Sequence, residues 1–130
     1  MVEEINKLGA LQIASLINEK EISCKEVVDS FLGRIEAINP KFNALTVVFD
    51  DSARQLAINL DKQKNNKKNK IFYGVPFTIK ENLDVSGSPT TKGMPAFKKS
   101  MPNRTDPIVK RLVSNGGIPL GKTNMPEMGM

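Results

Sequence analysis

The stretch Thr105-Asp-Pro-Ile-Val-Lys-Arg-Leu-Val-Ser-Asn-Gly-Gly-Ile-Pro-Leu-Gly-Lys-Thr-Asn124 decides how this chain folds. Thr105-Asp106-Pro107 reads as a helix start. Asp at the cap accepts an otherwise unsatisfied N–H, and Pro suits the first helical position because its missing N–H has no partner there. Ile108, Val109, Leu112 and Val113 recur at helical spacing and predict the buried face. Asn115-Gly116-Gly117 ends the helix, and Ile118-Pro-Leu120 is a short strand. Upstream, Ile71 to Ile79 supplies one or two short strands broken at Gly74. Strand, helix, strand at this spacing predicts a βαβ unit in a partly parallel sheet, hence the α/β class. Residues 84–104, rich in Ser, Thr, Gly, Pro and Lys, read as an ordered loop.

Working back towards the N-terminus, Asn43 to Phe49 is apolar and β-branched and reads as a strand. Asp50 or Asp51 caps a third helix that runs to about Leu60, with Ala53, Leu56, Ala57 and Leu60 inward. Ser23-Cys-Lys-Glu26 is a capping box. It opens a helix whose apolar face is Val27, Val28, Phe31, Leu32, Ile35 and Ile38, and Asn39-Pro40 is the expected stop. Leu8, Leu11, Ala14, Leu16 and Ile17 form a stripe for a preceding helix. The two N-terminal helices, joined by a short turn, predict an antiparallel hairpin.

Composition narrows the chemistry. There is no histidine among the 130 residues, which removes Ser-His-Asp and Cys-His catalysis from this chain, along with most zinc sites. A general base must then be a carboxylate, a lysine or a tyrosine. Cys24, the only cysteine, excludes a disulfide within the chain, suits a reducing compartment and reads as structural. The formal charge is +5, concentrated in Asp61-Lys-Gln-Lys-Asn-Asn-Lys-Lys-Asn-Lys70. That run lacks interleaved aromatics and arginine, so a solvated loop is expected rather than a nucleic-acid surface. No segment is apolar enough to span a membrane, and the N-terminus is acidic where a signal peptide is basic. A soluble cytoplasmic protein is expected, with neither cofactor nor metal.

Lys80 is the residue singled out for chemistry. It ends the mostly apolar run Val75 to Ile79. A lysine there either reaches solvent or is held for catalysis, and burial would lower its pKa towards that of a general base. From the residues alone, a strand-terminal lysine in water is the default. Glu81 and Asp84 could pair with it, with a salt bridge or a cap as the ordinary explanation. Residues 116–123 match Gly-x-x-x-x-Gly-Lys-Thr literally. A phosphate-binding loop follows a strand and opens a helix, however, and here Gly116 follows a helix and Met125-Pro126 comes next. Phosphate binding is not expected. Met125, Met128 and Met130 read as ordinary core.

Three blocks carry a resemblance. The first comprises Ile22-Ser-Cys-Lys-Glu-Val-Val28 and Arg34-Ile-Glu-Ala-Ile-Asn-Pro40. The second is Gly74-Val-Pro-Phe-Thr-Ile-Lys-Glu-Asn-Leu-Asp-Val-Ser-Gly87, followed by Thr90-Thr91. The third runs from Asp106 to Glu127 and ends Leu120-Gly-Lys-Thr-Asn-Met-Pro-Glu127. In this order they resemble the amidase signature family, over nearly the whole chain. The resemblance implies an N-terminal fragment of the amidase signature fold: a helical hairpin followed by βαβ elements of a mixed central sheet.

It also implies amide hydrolysis by a Ser, cis-Ser, Lys triad, with Lys80 as the base. A neutral lysine takes a proton from a bridging serine, which takes one from the nucleophilic serine. An acyl-enzyme forms, and the proton returns to the leaving amine. The family's Gly-Gly-Ser-Ser-Gly-Gly motif lies downstream of the Met-Pro-Glu block, and the sequence reaches Met130 before it. Ser86, Ser88, Ser100 and Ser114 sit in no matching motif. Residues 1–130 are therefore expected to be the N-terminal part of a single amidase domain, truncated before the Ser/Gly-rich motif and inactive alone. The expected partners are a small-molecule amide in the complete enzyme and either the enzyme's C-terminal portion or a second copy. Two alternatives stand beside this reading. One is a fragment like the A subunit of glutamyl-tRNA(Gln) amidotransferase, although Pro126-Glu127-Met128 stands where that protein typically has Asp-Glu-Phe. The other is a non-catalytic remnant or interaction module.

Overall fold

The computed structural model describes residues 4–63 and 70–130. Helices α1 (Ala10–Asn18) and α2 (Cys24–Phe42) lead into strand β1 (Leu45–Val48) and helix α3 (Asp50–Lys62). Strand β2 (Pro76–Lys80), helix α4 (Pro107–Ser114) and strand β3 (Ile118–Thr123) complete the regular elements, apart from short 3-10 turns. The sheet order is β1-β3-β2. β2 and β3 run parallel, as the βαβ reading requires, and β1 pairs with β3 antiparallel. Gly121 makes the second pairing feasible, because a Cβ there would lie 2.2 Å from the Val47 carbonyl oxygen.

One core joins the two halves. Ile13 and Ile17 of α1 meet Val27, Val28 and Leu32 of α2, Ala53, Ala57 and Leu60 of α3, and Ile118 and Leu120 of β3. Cys24 is buried among them. Leu11 departs from the expected stripe and is 86% exposed, because α1 turns Ile13 inward beside the expected Ile17. The capping box forms: the Ser23 N–H donates to Glu26 at 2.8 Å, and the Glu26 N–H donates to Ser23 Oγ at 3.1 Å. Asp61 adds to the same helix start, accepting the N–H groups of Cys24 (2.8 Å) and Lys25 (3.0 Å). A carboxylate is favoured there by the helix dipole. The end of α3 is thus tied to the start of α2. The rest of the expected basic loop, residues 64–69, lies outside the described residues.

Three boundaries and one helix face differ from expectation. α2 passes through Pro40 to Phe42 and is closed by Asn43, which adopts the left-handed conformation (φ 48, ψ 41). Past the proline, the Asn39 side chain bonds both backbone groups of Leu45 at 2.9 and 3.0 Å and fixes how the chain leaves the helix. α3 is preceded by Phe49 rather than capped by an aspartate side chain. The Phe49 N–H is held by the Leu120 carbonyl at 2.8 Å, and Asp50 and Asp51 lie within the first turn. Residues 71–74 form a turn and not a strand: the N–H groups of Tyr73 and Val75 bond the carbonyls of Lys70 and Phe72 three residues back, while those of Phe72 and Gly74 dock the turn on the carbonyls of Asn115 and Gly116. Finally, α4 buries Val109, half-buries Leu112 and Val113, and leaves Ile108 59% exposed in its first turn. Asp106 caps α4 as expected, accepting the Ile108 N–H at 2.9 Å.

Candidate active site

Parallel strands bring their carboxyl ends to one edge of the sheet, where α/β proteins commonly bind ligands. Here that edge carries Lys80 at the end of β2 and Lys122-Thr123 at the end of β3. The register pairs Ile79 with Lys122 and Lys80 with Thr123. Adjacent strands stand about 4.8 Å apart, so the two lysines belong to one small region.

Their environments are opposite. Lys80 is exposed, and no side-chain hydrogen bond or ion pair holds it among the described residues. The expectation of a lysine reaching solvent is met, and the desolvated lysine is a different one. Lys122 is fully buried. Its Nζ donates to the Pro89 carbonyl at 2.9 Å and to Thr90 Oγ1 at 3.1 Å. Burial pushes its pKa below the ordinary lysine value, and the negative charges of Glu81 and Asp84 oppose that shift. The strand sequence holds a sign of this burial that the motif-based reading misses, since Ile118, Leu120 and Lys122 alternate and the first two are core. The rejection of a phosphate loop agrees with the structure, because Gly121, Lys122 and Thr123 all lie within β3.

Glu81 does not pair with Lys80. It is buried and accepts from the N–H and Oγ1 of Thr91 and, at 2.8 Å, from the Lys92 N–H. The residues that follow β2 are therefore folded back on the strand end. Further bonds order the loop: Leu83 N–H to the Lys80 carbonyl, Asp106 N–H to the Asp84 carbonyl, and Thr90 N–H to the Ser100 carbonyl. Ser88 is buried in it, and its hydroxyl has no hydrogen-bond partner among the described residues. The Lys92 carbonyl accepts the Met128 N–H at 2.8 Å, and a Cβ on Gly93 would meet the Pro126 carbonyl oxygen at 2.9 Å. The 84–104 segment is thus an ordered loop, as its composition predicted. Asn124 ties the end of β3 to the start of β1, donating from its backbone N–H to the Ala44 carbonyl at 2.7 Å.

The amidase family profile matches residues 26–130, which include both strands and the loop between them. The chain belongs to the amidase family. More particularly, its likeness is to amidase signature enzymes. It is 38% identical over 120 residues to an indoleacetamide hydrolase of Bradyrhizobium diazoefficiens, covering 92% of this chain and 23% of that protein. It is 32% identical over 127 residues to the A subunit of a glutamyl-tRNA(Gln) amidotransferase from Thermoanaerobacter pseudethanolicus, covering 98% and 26%. A bacterial aryl acylamidase of the amidase signature family superposes with a TM-score of 0.83 at 28% identity, over 93% of this chain and 26% of that one. The chain spans about a quarter of the length of the curated relatives it matches. No described helix is long and apolar enough to cross a membrane.

Proposed function

We propose that this chain supplies the lysine of a Ser, cis-Ser, Lys amide-hydrolysing site, with Lys80 as the base. The observation that carries the reading is the position of Lys80: it closes a mostly apolar strand at the carboxyl edge of a parallel pair, exposed and unengaged among the described residues. Its ammonium is therefore open to serines that approach that edge. The serines are those of the family's Gly-Gly-Ser-Ser-Gly-Gly segment and the nucleophile beyond it, contributed from outside these 130 residues. The partner is then the C-terminal portion of the same enzyme. Residues 1–130 form the N-terminal part of one amidase domain, located in the cytoplasm.

The chain alone is expected to hydrolyse no amide, because a general base without a nucleophile completes no acyl transfer. Indole-3-acetamide and an aryl acylamide are suitable probes. Steady turnover by the purified chain, lost in Lys80→Ala, would overturn the assignment of the serines to another segment. A second reading, a piece like the A subunit of an amidotransferase, is favoured by the 32% identity over 98% of the chain. Co-purification with the other components of that complex would select it.

A further inference from the structure

We infer that Lys122 is a positioning residue: from the end of β3 its buried ammonium tethers the strap 89–92 across the carboxyl ends of β2 and β3, and so sets the geometry of the strand end that carries Lys80. The strap is held from two sides by opposite charges. Lys122 takes the Pro89 carbonyl and Thr90 Oγ1. Glu81, at the end of the neighbouring strand, takes the backbone N–H groups of the next two residues, Thr91 and Lys92. Glu81 directly follows Lys80, so a displaced strap pulls on the peptide that fixes Lys80.

The chemistry suits a tether. A buried ammonium carries three donors and is retained when they are matched by acceptors. Two acceptors come from consecutive residues of one strap, which fixes that strap along its length. Hydrogen bonds to a charged donor are stronger than neutral ones, and a buried partner left unmatched is costly. The tether therefore has the strength to hold an otherwise irregular segment against the sheet. Its catalytic consequence rests on the reading of Lys80 as the base, but the tether itself can be tested without any turnover.

The test uses the uniformly 15N-labelled full chain, its Thr90→Val and Thr90→Ser variants, and Lys122→Met. Thr90→Val keeps the shape and removes an acceptor, whereas Thr90→Ser keeps the hydroxyl. Amide exchange at Thr91 and Lys92 is expected to accelerate at least about tenfold in Thr90→Val and in Lys122→Met, the scale of one lost charge-assisted hydrogen bond. Exchange at Val28 and Leu32 in the core should be unchanged in Thr90→Val. The Lys122 15Nζ signal should move in Thr90→Val and return in Thr90→Ser. Protection at Thr91 and Lys92 that is unaltered in Thr90→Val, or that falls only in step with Val28 and Leu32, would overturn the tether. Because no activity is read, failure of the Lys80 assignment would leave this result standing, and the reverse also holds.

Discussion

Lys80 and Lys122 show how far a single residue can be judged from its neighbours in sequence. Both follow apolar residues in short strands. One is exposed and the other fully buried. Only the pairing of β2 with β3 and the folding back of 84–92 decide between them, and neither is written in local spacing. Burial of Lys122 has a thermodynamic signature. Its pKa is lower folded than unfolded, so the unfolded chain binds the additional proton in the window between the two values. Stability therefore rises with pH from the folded value up to about 10.4, the unfolded lysine value. Lys122→Met should lose this rise, which urea midpoints at a series of pH values up to about 10 would show. Identical pH slopes in the two proteins would count against a desolvated ammonium. Tyr73 acts with the opposite sign: burial raises its pKa, so its stability term is full below about 10 and is lost as pH climbs above that. Gly121 offers a steric test. An alanine Cβ would run into the Val47 carbonyl, and Gly121→Ala should destabilise by about 3 kcal/mol on the scale of overpacked sites. Calorimetry that finds no loss would mean β1 and β3 are not so closely apposed.

At the scale of elements, what was legible had a periodic or capping signal. The capping box at Ser23 and Glu26, the Asp106 cap and the inward face of α3 could all be read directly, because helix starts and helix faces are set by residues three or four apart. Boundaries departed from the local rule where a tertiary contact replaced it. Past the proline of α2 the Asn39 side chain bonds the Leu45 backbone and sets the exit from the helix, and the Leu120 carbonyl fixes the start of α3 through Phe49. Asp61 belongs to the same class. By sequence it opens a charged loop, yet in the fold it caps a helix 36 and 37 positions earlier. Ser23→Ala should cost about 1 kcal/mol, the usual worth of a helix cap. Thermal unfolding would measure it, and a negligible change would mean that Asp61 alone holds the helix start. Serine bonding also lowers the pKa of Glu26, so its contribution is present above about pH 4.3 and fades as pH falls through the folded value. In Ser23→Ala that acid-side loss should shrink.

Taken whole, the molecule is a three-stranded mixed sheet with helices against it, and its family fold was legible from the order of three sequence blocks. The blocks were informative because each holds a geometric necessity. The first carries the capped α2. The second carries the strand ending in Lys80 and the glutamate that binds the strap. The third carries the crossover helix and the strand with Gly121 and Lys122. The clamping of the second and third blocks by Glu81 and Lys122 was not legible, because it joins residues that meet only once the sheet has formed. The central claim is that Lys80 serves as the base once serines are supplied. The direct measurement joins this chain with a separately expressed segment bearing the Gly-Gly-Ser-Ser-Gly-Gly motif and the nucleophile, and compares kcat for amide hydrolysis with and without Lys80→Ala. The expected result is activity in the reconstituted enzyme and a loss of about 10²–10⁴-fold in the variant, the range for removing a general base. A reconstituted enzyme whose kcat is unchanged by Lys80→Ala would contradict it.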